Sequence, residues 1–268
     1  MYKRQIEASP DELWKALTES GELVRWFPLQ ADVKPGAGGS MRWSWDATWD
    51  WRTRIEAWEP PHRLRLVQDE DQAYDAEGRP VASARKSPAP LAMEFTLEAG
   101  RGSTRLRLVH SGFGRGVEWD DEFDGISHGW PAVLRGLRHY LQHQRGRDRH
   151  VSRVLASTSE PIGAAWARLT GPDGFALQPA RPQAGATFEA SLFGGDRYQG
   201  TTELFVPDRL FQGVVPALGG GVLELTTHQA EGRTGMQAWL SNWGPRNPAL
   251  DRFGADAQKG LEMLFGRS

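Results

Sequence analysis

An internal repeat of about 150 residues limits the fold of this chain more than any other feature of its sequence. In each copy, a short apolar strand pattern leads into a helix that starts at a proline, Pro10 and then Pro161. Each half also closes on an amphipathic helix whose apolar residues follow the same +3, +4, +4, +3 spacing: Phe123, Ile126, Trp130, Leu134 and Leu137, then Leu250, Phe253, Ala257, Leu261 and Leu264. So long a period predicts two similar domains, which we place at residues 1–147 and 151–268.

Charge and cysteine content exclude several classes of protein. The net charge is −2, with 32 basic and 34 acidic side chains, so neither half resembles a basic nucleic-acid module. The absence of cysteine excludes disulfides, thiolate metal sites and a cysteine nucleophile. There is no apolar signal-peptide core and no run of about 18 apolar residues, which predicts a cytoplasmic protein that does not engage a membrane. The excess of arginine over lysine is typical of a GC-rich bacterial genome.

Apolar and polar residues alternate along the first half with the period of half-buried strands. One face carries mainly indole and aliphatic side chains: Met41, Trp43, Trp45, Trp49, Trp51, Thr53 and Ile55. Arginines and acids alternate with them, so we predict an antiparallel meander with one wet face. The polar stretch at residues 68–90 predicts a long hairpin loop. A helix from about Trp119 to Gln144 should then cover the apolar face, with a kink near Ser127 because Pro131 lacks a backbone N–H.

The second half repeats this order of elements. We predict a strand near residues 152–157, a helix at 161–169, five strands between residues 185 and 241, and a closing helix at 247–265. Strand runs followed by a covering helix are typical of an α+β fold.

Three segments of the first half resemble a known superfamily. They are Ser9-Pro10-Asp11-Glu12-Leu13-Trp14-Lys15-Ala16-Leu17, Trp26-Phe27, and His128-Gly129-Trp130 followed by Leu134, Leu137 and Tyr140. They resemble the START-like SRPBCC superfamily and, within it, the family homologous to activators of the heat-shock-protein-90 ATPase. The second half is similar only in element order and lacks the Gly-Trp pair. The resemblance implies two tandem helix-grip domains, each an antiparallel sheet wrapped around a long C-terminal helix, with an elongated apolar cavity between sheet and helix in the first. We expect the second domain, which has fewer inward aromatic residues, to have a smaller pocket.

The aromatic face of the first half is the candidate ligand-binding site. Its predicted members are Trp26, Phe27, Trp43, Trp45, Trp49, Trp51, Phe95, His110, His128, Trp130 and Leu134. A packed aromatic core explains these rings as well as a cavity for a planar or hydrophobic ligand does, and both interpretations stay open. The two histidines stand where a strand ends and where the closing helix begins, and either is a candidate to orient a ligand or move a proton.

Other patterns favour no cofactor and no metal. His139 and His143 have the spacing of two zinc ligands, but no motif supplies a third. The glycine-rich stretch at residues 112–116 resembles a phosphate loop, yet the acids at the start of the following helix would repel a phosphate. We therefore predict no cofactor, no metal and no catalytic residue.

Three functions remain open at this point. The first is non-enzymatic binding of a small hydrophobic or aromatic molecule in the first domain, to which the resemblance adds a stress-related role. The second, by analogy with the family, is a cochaperone-like module that contacts a chaperone partner. The third is a cyclase- or aromatase-like enzyme that uses His110 or His128. Fold alone does not decide among them.

Overall fold

The computed structural model describes residues 1–45, 50–68, 73–74, 80–81, 89–114, 117–230 and 232–266. Its contacts divide the chain into two compact units, one built mainly from residues 1–123 and 129–147 and the other mainly from residues 148–268. Each unit contains one large antiparallel sheet and a long helix near its end. The predicted α+β class with two helix-grip domains is confirmed.

The first unit is a seven-stranded sheet in the order β1-β9-β8-β5-β4-β3-β2. Its strands are β1 Tyr2–Ile6, β2 Gln30–Lys34, β3 Ser40–Ser44, β4 Asp50–Glu59, β5 Arg63–Gln68, β8 Ala92–Ala99 and β9 Thr104–Ser111, and a separate pair is formed by β6 Ala73–Tyr74 and β7 Pro80–Val81. Its helices are α1 Pro10–Thr18, α2 Ser20–Leu23 and α3 Val117–His139, which continues into a π-helical turn at Tyr140–Gln144. Residues 69–72, 75–79 and 82–88 of the predicted loop at 68–90 lie outside the described residues.

Helix α1 begins where the sequence predicts, because Ser9 and Glu12 form a capping box. The Ser9 hydroxyl accepts a hydrogen bond from the Glu12 backbone N–H at 3.3 Å, and the Glu12 carboxylate accepts one from the Ser9 backbone N–H at 2.8 Å. Two N–H groups that lack partners within the helix are thereby satisfied. Leu13 and Leu17 on this helix are buried.

The outer face of the sheet is held by ion pairs between neighbouring strands. Arg42 and Arg52 both contact the Asp50 carboxylate, at 2.6 Å and 3.1 Å, which explains why Asp50 is nearly buried although it alternates with the inward residues. Arg63 likewise contacts Glu94 across β5 and β8, at 2.9 Å. Opposite charges on facing strands thus cover this side.

The closing helix α3 lies over the other face, and one predicted member of its stripe is misplaced. Trp130, Leu134 and Leu137 are buried as the spacing predicts. Phe123, however, is 56% exposed. Its ring packs edge-on against Phe113, with centroids 5.5 Å apart, because the second turn of the helix meets the loop after β9 rather than the sheet. Helix α3 continues through Pro131.

The second unit follows the predicted order closely. Its six-stranded sheet, β10-β15-β14-β13-β12-β11, consists of β10 Arg149–Thr158, β11 Thr187–Ser191, β12 Arg197–Val206, β13 Leu210–Val215, β14 Gly221–Ala230 and β15 Arg233–Trp243. Its helices are α4 Ile162–Thr170 and α5 Ala249–Phe265. Phe253 and Leu261 of α5 pack in a core with Leu223 and Leu225 of β14. Gly260 is needed there, since a Cβ atom on it would lie 2.3 Å from the Phe193 ring.

Strand β2 was not predicted. Its five residues alternate between exposed and partly exposed, with none buried, so they carry no apolar period to reveal a strand. Position at the edge of the sheet explains this pattern. Within the described ranges, none of the helices combines the length and apolar character that a membrane crossing requires.

Candidate ligand-binding site

Side chains from distant strands of the first sheet meet over its inner face. Trp51 on β4 and His110 on β9 have ring centroids 6.5 Å apart, although β5 and β8 lie between their strands. Three steps of about 4.8 Å along a flat sheet would separate these strands by roughly 14 Å. The sheet is therefore curled, and its concave face brings these rings together beneath α3.

Phe27, just after α2, contacts several indoles of this aromatic cluster. Its ring stacks on Trp26 at 5.3 Å and meets Trp43 and Trp45 edge-on, each at 5.2 Å. Trp51 contacts the same two indoles at 6.1 Å and 5.6 Å. Edge-to-face arrangements at these distances are the favoured geometry of aromatic pairs. Phe27 and Trp51 are themselves partly exposed, so the cluster reaches the surface of the protein.

Trp130 closes the cluster from the helix side. Its ring lies 5.7 Å from Phe27, 6.3 Å from Trp51 and 6.1 Å from Phe95. Its indole N–H donates a hydrogen bond to Nδ1 of His110, at 3.1 Å. The His-Gly-Trp segment thus places one large ring at the centre of the site.

The hydrogen bond from Trp130 fixes the chemistry of His110. Since an indole nitrogen only donates, Nδ1 of His110 must accept, and a neutral ring then carries its proton on Nε2. Burial, with a smaller contribution from the positive N-terminus, lowers the pKa of His110 to about 4. The ring is accordingly neutral at physiological pH, and its low basicity suits a hydrogen-bond donor better than a general base.

Two polar atoms of the cluster are buried without a hydrogen-bond partner among the described residues. They are Nε2 of His110 and Nε1 of Trp43. Trp26 is different, because its indole N–H donates to the backbone carbonyl of Ala16 at 2.8 Å. Buried polar groups without partners are rare and cost roughly 1–3 kcal/mol each. These two N–H groups are therefore the most informative polar atoms of the site.

The structure brings together eight of the predicted site residues and places Leu134 and His128 elsewhere. Those in the cluster are Trp26, Phe27, Trp43, Trp45, Trp51, Phe95, His110 and Trp130. Leu134 is buried one turn further along α3. His128 instead places Nδ1 2.9 Å from the carbonyl of Asp124 on its own helix. Trp49 lies outside the described residues.

Phe113 is a site residue that the sequence patterns did not reveal. Its ring lies 5.0 Å from His110 and 6.2 Å from Trp119, so it extends the cluster beyond β9. The signal was present, because Phe113 stands between two glycines. A Cβ atom on Gly114 would lie 2.1 Å from Nε1 of Trp119, so the glycine lets this indole pack against the loop. Gly114 thus serves aromatic packing.

A separate depression of about 520 Å³ lies where the closing helix ends. It is lined by Glu7, Leu141, Gln142, His143, Arg145 and Arg147, and it is open to solvent. Only one of these side chains is apolar, so the depression does not suit a hydrophobic ligand. The aromatic cluster remains the better candidate site.

The two histidines at the end of the closing helix lie close together. His139 and His143 have ring centroids 5.3 Å apart. In the part of the chain that the structure describes, no three histidine or acidic side chains gather to hold a metal ion.

Comparisons with known proteins place this architecture in a family. The family model described as "Activator of Hsp90 ATPase homolog 1-like protein" matches residues 7–142. Protein MLL2253 from Mesorhizobium loti is 26% identical over 52% of this chain and 93% of its own, with a TM-score of 0.42. No curated protein sequence matches.

Two solved structures align with nearly the whole chain. DynU16, from the dynemicin biosynthetic locus, is 16% identical over 99% of this chain and 94% of its own, with a TM-score of 0.43. The di-domain ARO/CYC protein BexL from the BE-7585A biosynthetic pathway is 15% identical over 98% of this chain and 92% of its own, with a TM-score of 0.45. Because the family model spans more than half of the 268 residues, the chain belongs to the family of Activator of Hsp90 ATPase homolog 1-like proteins, within the SRPBCC superfamily that its sequence resembles.

Proposed function

We propose that the first unit binds a small hydrophobic or aromatic molecule among the rings between its concave sheet face and α3. The observation that carries this proposal is the cluster of eight aromatic and imidazole rings, two of which carry buried N–H groups without partners among the described residues. Phe27 and Trp51 give the cluster access to solvent. Stacking surface with a few oriented polar groups is typical of sites for small ligands.

Packing alone accounts less well for this cluster. A core that served only stability would pair its indole and imidazole nitrogens, as Trp26 and Trp130 do. The two exceptions face the same group of rings, since Trp43 and His110 both contact Trp51. A ligand that accepts their hydrogen bonds would recover the free energy that their burial costs.

Tryptophan fluorescence of the purified full-length protein tests the proposal. Nine of the 12 tryptophans precede residue 148, so quenching reports mainly on the first unit. We expect saturable quenching by planar aromatic probes such as fluorene and 9-fluorenone, and about tenfold weaker binding in Trp51→Ala, which loses a stacking surface worth about 1–1.5 kcal/mol. Trp58→Ala is the matched control, because Trp58 lies on the same strand but pairs with Trp14, at 5.1 Å, outside the cluster. The absence of saturable binding across an aromatic probe set would refute the proposal.

Family membership favours a second candidate, a cochaperone-like module that contacts a chaperone of the heat-shock-protein-90 class. The full chain should then co-purify with such a chaperone and change its rate of ATP hydrolysis. Unchanged ATPase activity at saturating concentrations of this protein would exclude this candidate and leave the ligand-binding proposal intact.

A further inference from the structure

The two unpartnered N–H groups restrict the chemistry of the ligand. We infer that the aromatic cluster selects flat molecules that carry carbonyl oxygens, such as aromatic ketones or quinones, over hydrocarbons of the same shape. This inference rests on the proposed function and names the ligand class of the same site.

The first donor is His110. Its Nδ1 atom is occupied by the indole N–H of Trp130 at 3.1 Å, which leaves the proton on Nε2. That Nε2 atom is buried and has no partner among the described residues. The ring lies within the aromatic cluster, with Phe113 at 5.0 Å and Trp130 at 6.2 Å.

The second donor is Trp43, which is only 2% exposed. An indole nitrogen always carries its hydrogen and never accepts, so Nε1 requires an acceptor. The Trp43 ring lies between Phe27 at 5.2 Å and Trp51 at 6.1 Å. A hydrocarbon would leave both N–H groups unpaired, whereas carbonyl oxygens would accept hydrogen bonds from them.

Gln68 is the other polar side chain to consider on this face. It alternates with the inward Leu64 and Leu66 along β5, and its Oε1 atom is buried without a partner. An amide offers a donor and an acceptor and can present either group by rotating. Gln68 therefore accommodates a carbonyl or a hydroxyl group, whereas His110 and Trp43 demand an acceptor.

The test compares 9-fluorenone with fluorene, which have the same ring system and differ by one carbonyl oxygen. Fluorescence quenching and calorimetry with the full chain measure both affinities. We expect fluorenone to bind at least fivefold more tightly than fluorene, because one neutral hydrogen bond contributes about 1 kcal/mol. Trp43→Phe keeps an aromatic ring and removes one donor. His110→Phe removes the other, and because it also removes the acceptor of the Trp130 indole N–H, it is combined with Trp130→Phe. One or both should reduce the preference to about onefold while fluorene still binds.

Trp58→Phe is the control, since it removes an indole N–H outside the cluster and should retain the full preference. Equal affinity for the two probes in the wild-type protein, or a preference that survives in the Trp43→Phe, His110→Phe, Trp130→Phe triple variant, would overturn the inference. Ligand binding would stand in either case, provided that Trp51→Ala weakens it. If neither probe binds, the proposed function fails for this ring class and the inference falls with it.

Discussion

Neutral His110 should make the first unit less stable in mild acid. Burial lowers its pKa from 6.5 to about 4, so the folded protein binds a proton more weakly than the unfolded chain does. The stabilisation is fully present above pH 6.5 and is lost as the pH falls from 6.5 to 4, because only the unfolded state gains a proton in this window. A shift of this size corresponds to about 3 kcal/mol of unfolding free energy, or at most about 1.4 kcal/mol per pH unit.

Urea denaturation followed by tryptophan fluorescence between pH 7.5 and 4 measures this loss. Carboxylates also titrate in acid, so the relevant quantity is the difference between the wild type and His110→Gln, whose unfolding free energy should fall by about 3 kcal/mol less over the same range. His62→Gln, at an exposed position, is the matched control and should follow the wild type. A parallel fall in His110→Gln and wild type, or an NMR titration of His110 with a midpoint near 6.5, would refute the reasoning.

Three further substitutions test the scaffold by urea denaturation. Ser9→Ala removes the hydroxyl that caps α1 and should cost about 1 kcal/mol, whereas an unchanged midpoint would contradict the capping role. Tyr140→Phe removes a hydrogen bond to Glu22 at 2.6 Å and should cost about 1–3 kcal/mol, whereas an unchanged midpoint would show that water replaces the hydroxyl at that carboxylate. Gly260→Ala forces a Cβ atom against the ring of Phe193 and should cost about 1–3 kcal/mol in the second unit, and a stabilised variant would show that the ring moves freely.

Most helices and strands could be predicted from local patterns. The proline-started helices, the closing stripes and all six strands of the second unit appear near the predicted positions, because each buries one face with its own period. The edge strand β2 escaped prediction because an edge strand without a buried side chain leaves no period to detect. Phe123 was predicted to be buried because its spacing fits the apolar stripe of α3. It is exposed, since its turn of the helix passes a loop instead of the sheet.

The aromatic character of the site was predictable, but its polar chemistry was not. Tryptophans at alternating positions on two strands indicate a shared face whatever the details of the fold. No pattern in the sequence, by contrast, places the Trp130 indole on Nδ1 of His110, 20 residues away along the chain. That hydrogen bond decides which imidazole nitrogen carries the proton and therefore which further hydrogen bond the ring can make.

The repeat, the strand and helix periods and the capping residues by themselves determined that this chain forms two α+β units, the first rich in indoles. Only the tertiary structure decided which rings meet, because curling of the sheet brings residues of β4 and β9 within 6.5 Å across two intervening strands. Burial then set the charge of His110 and left two N–H groups of the aromatic cluster without partners among the residues that the structure describes. Local patterns follow from the covalent order of residues, whereas desolvation and pairing depend on every neighbour that folding brings near.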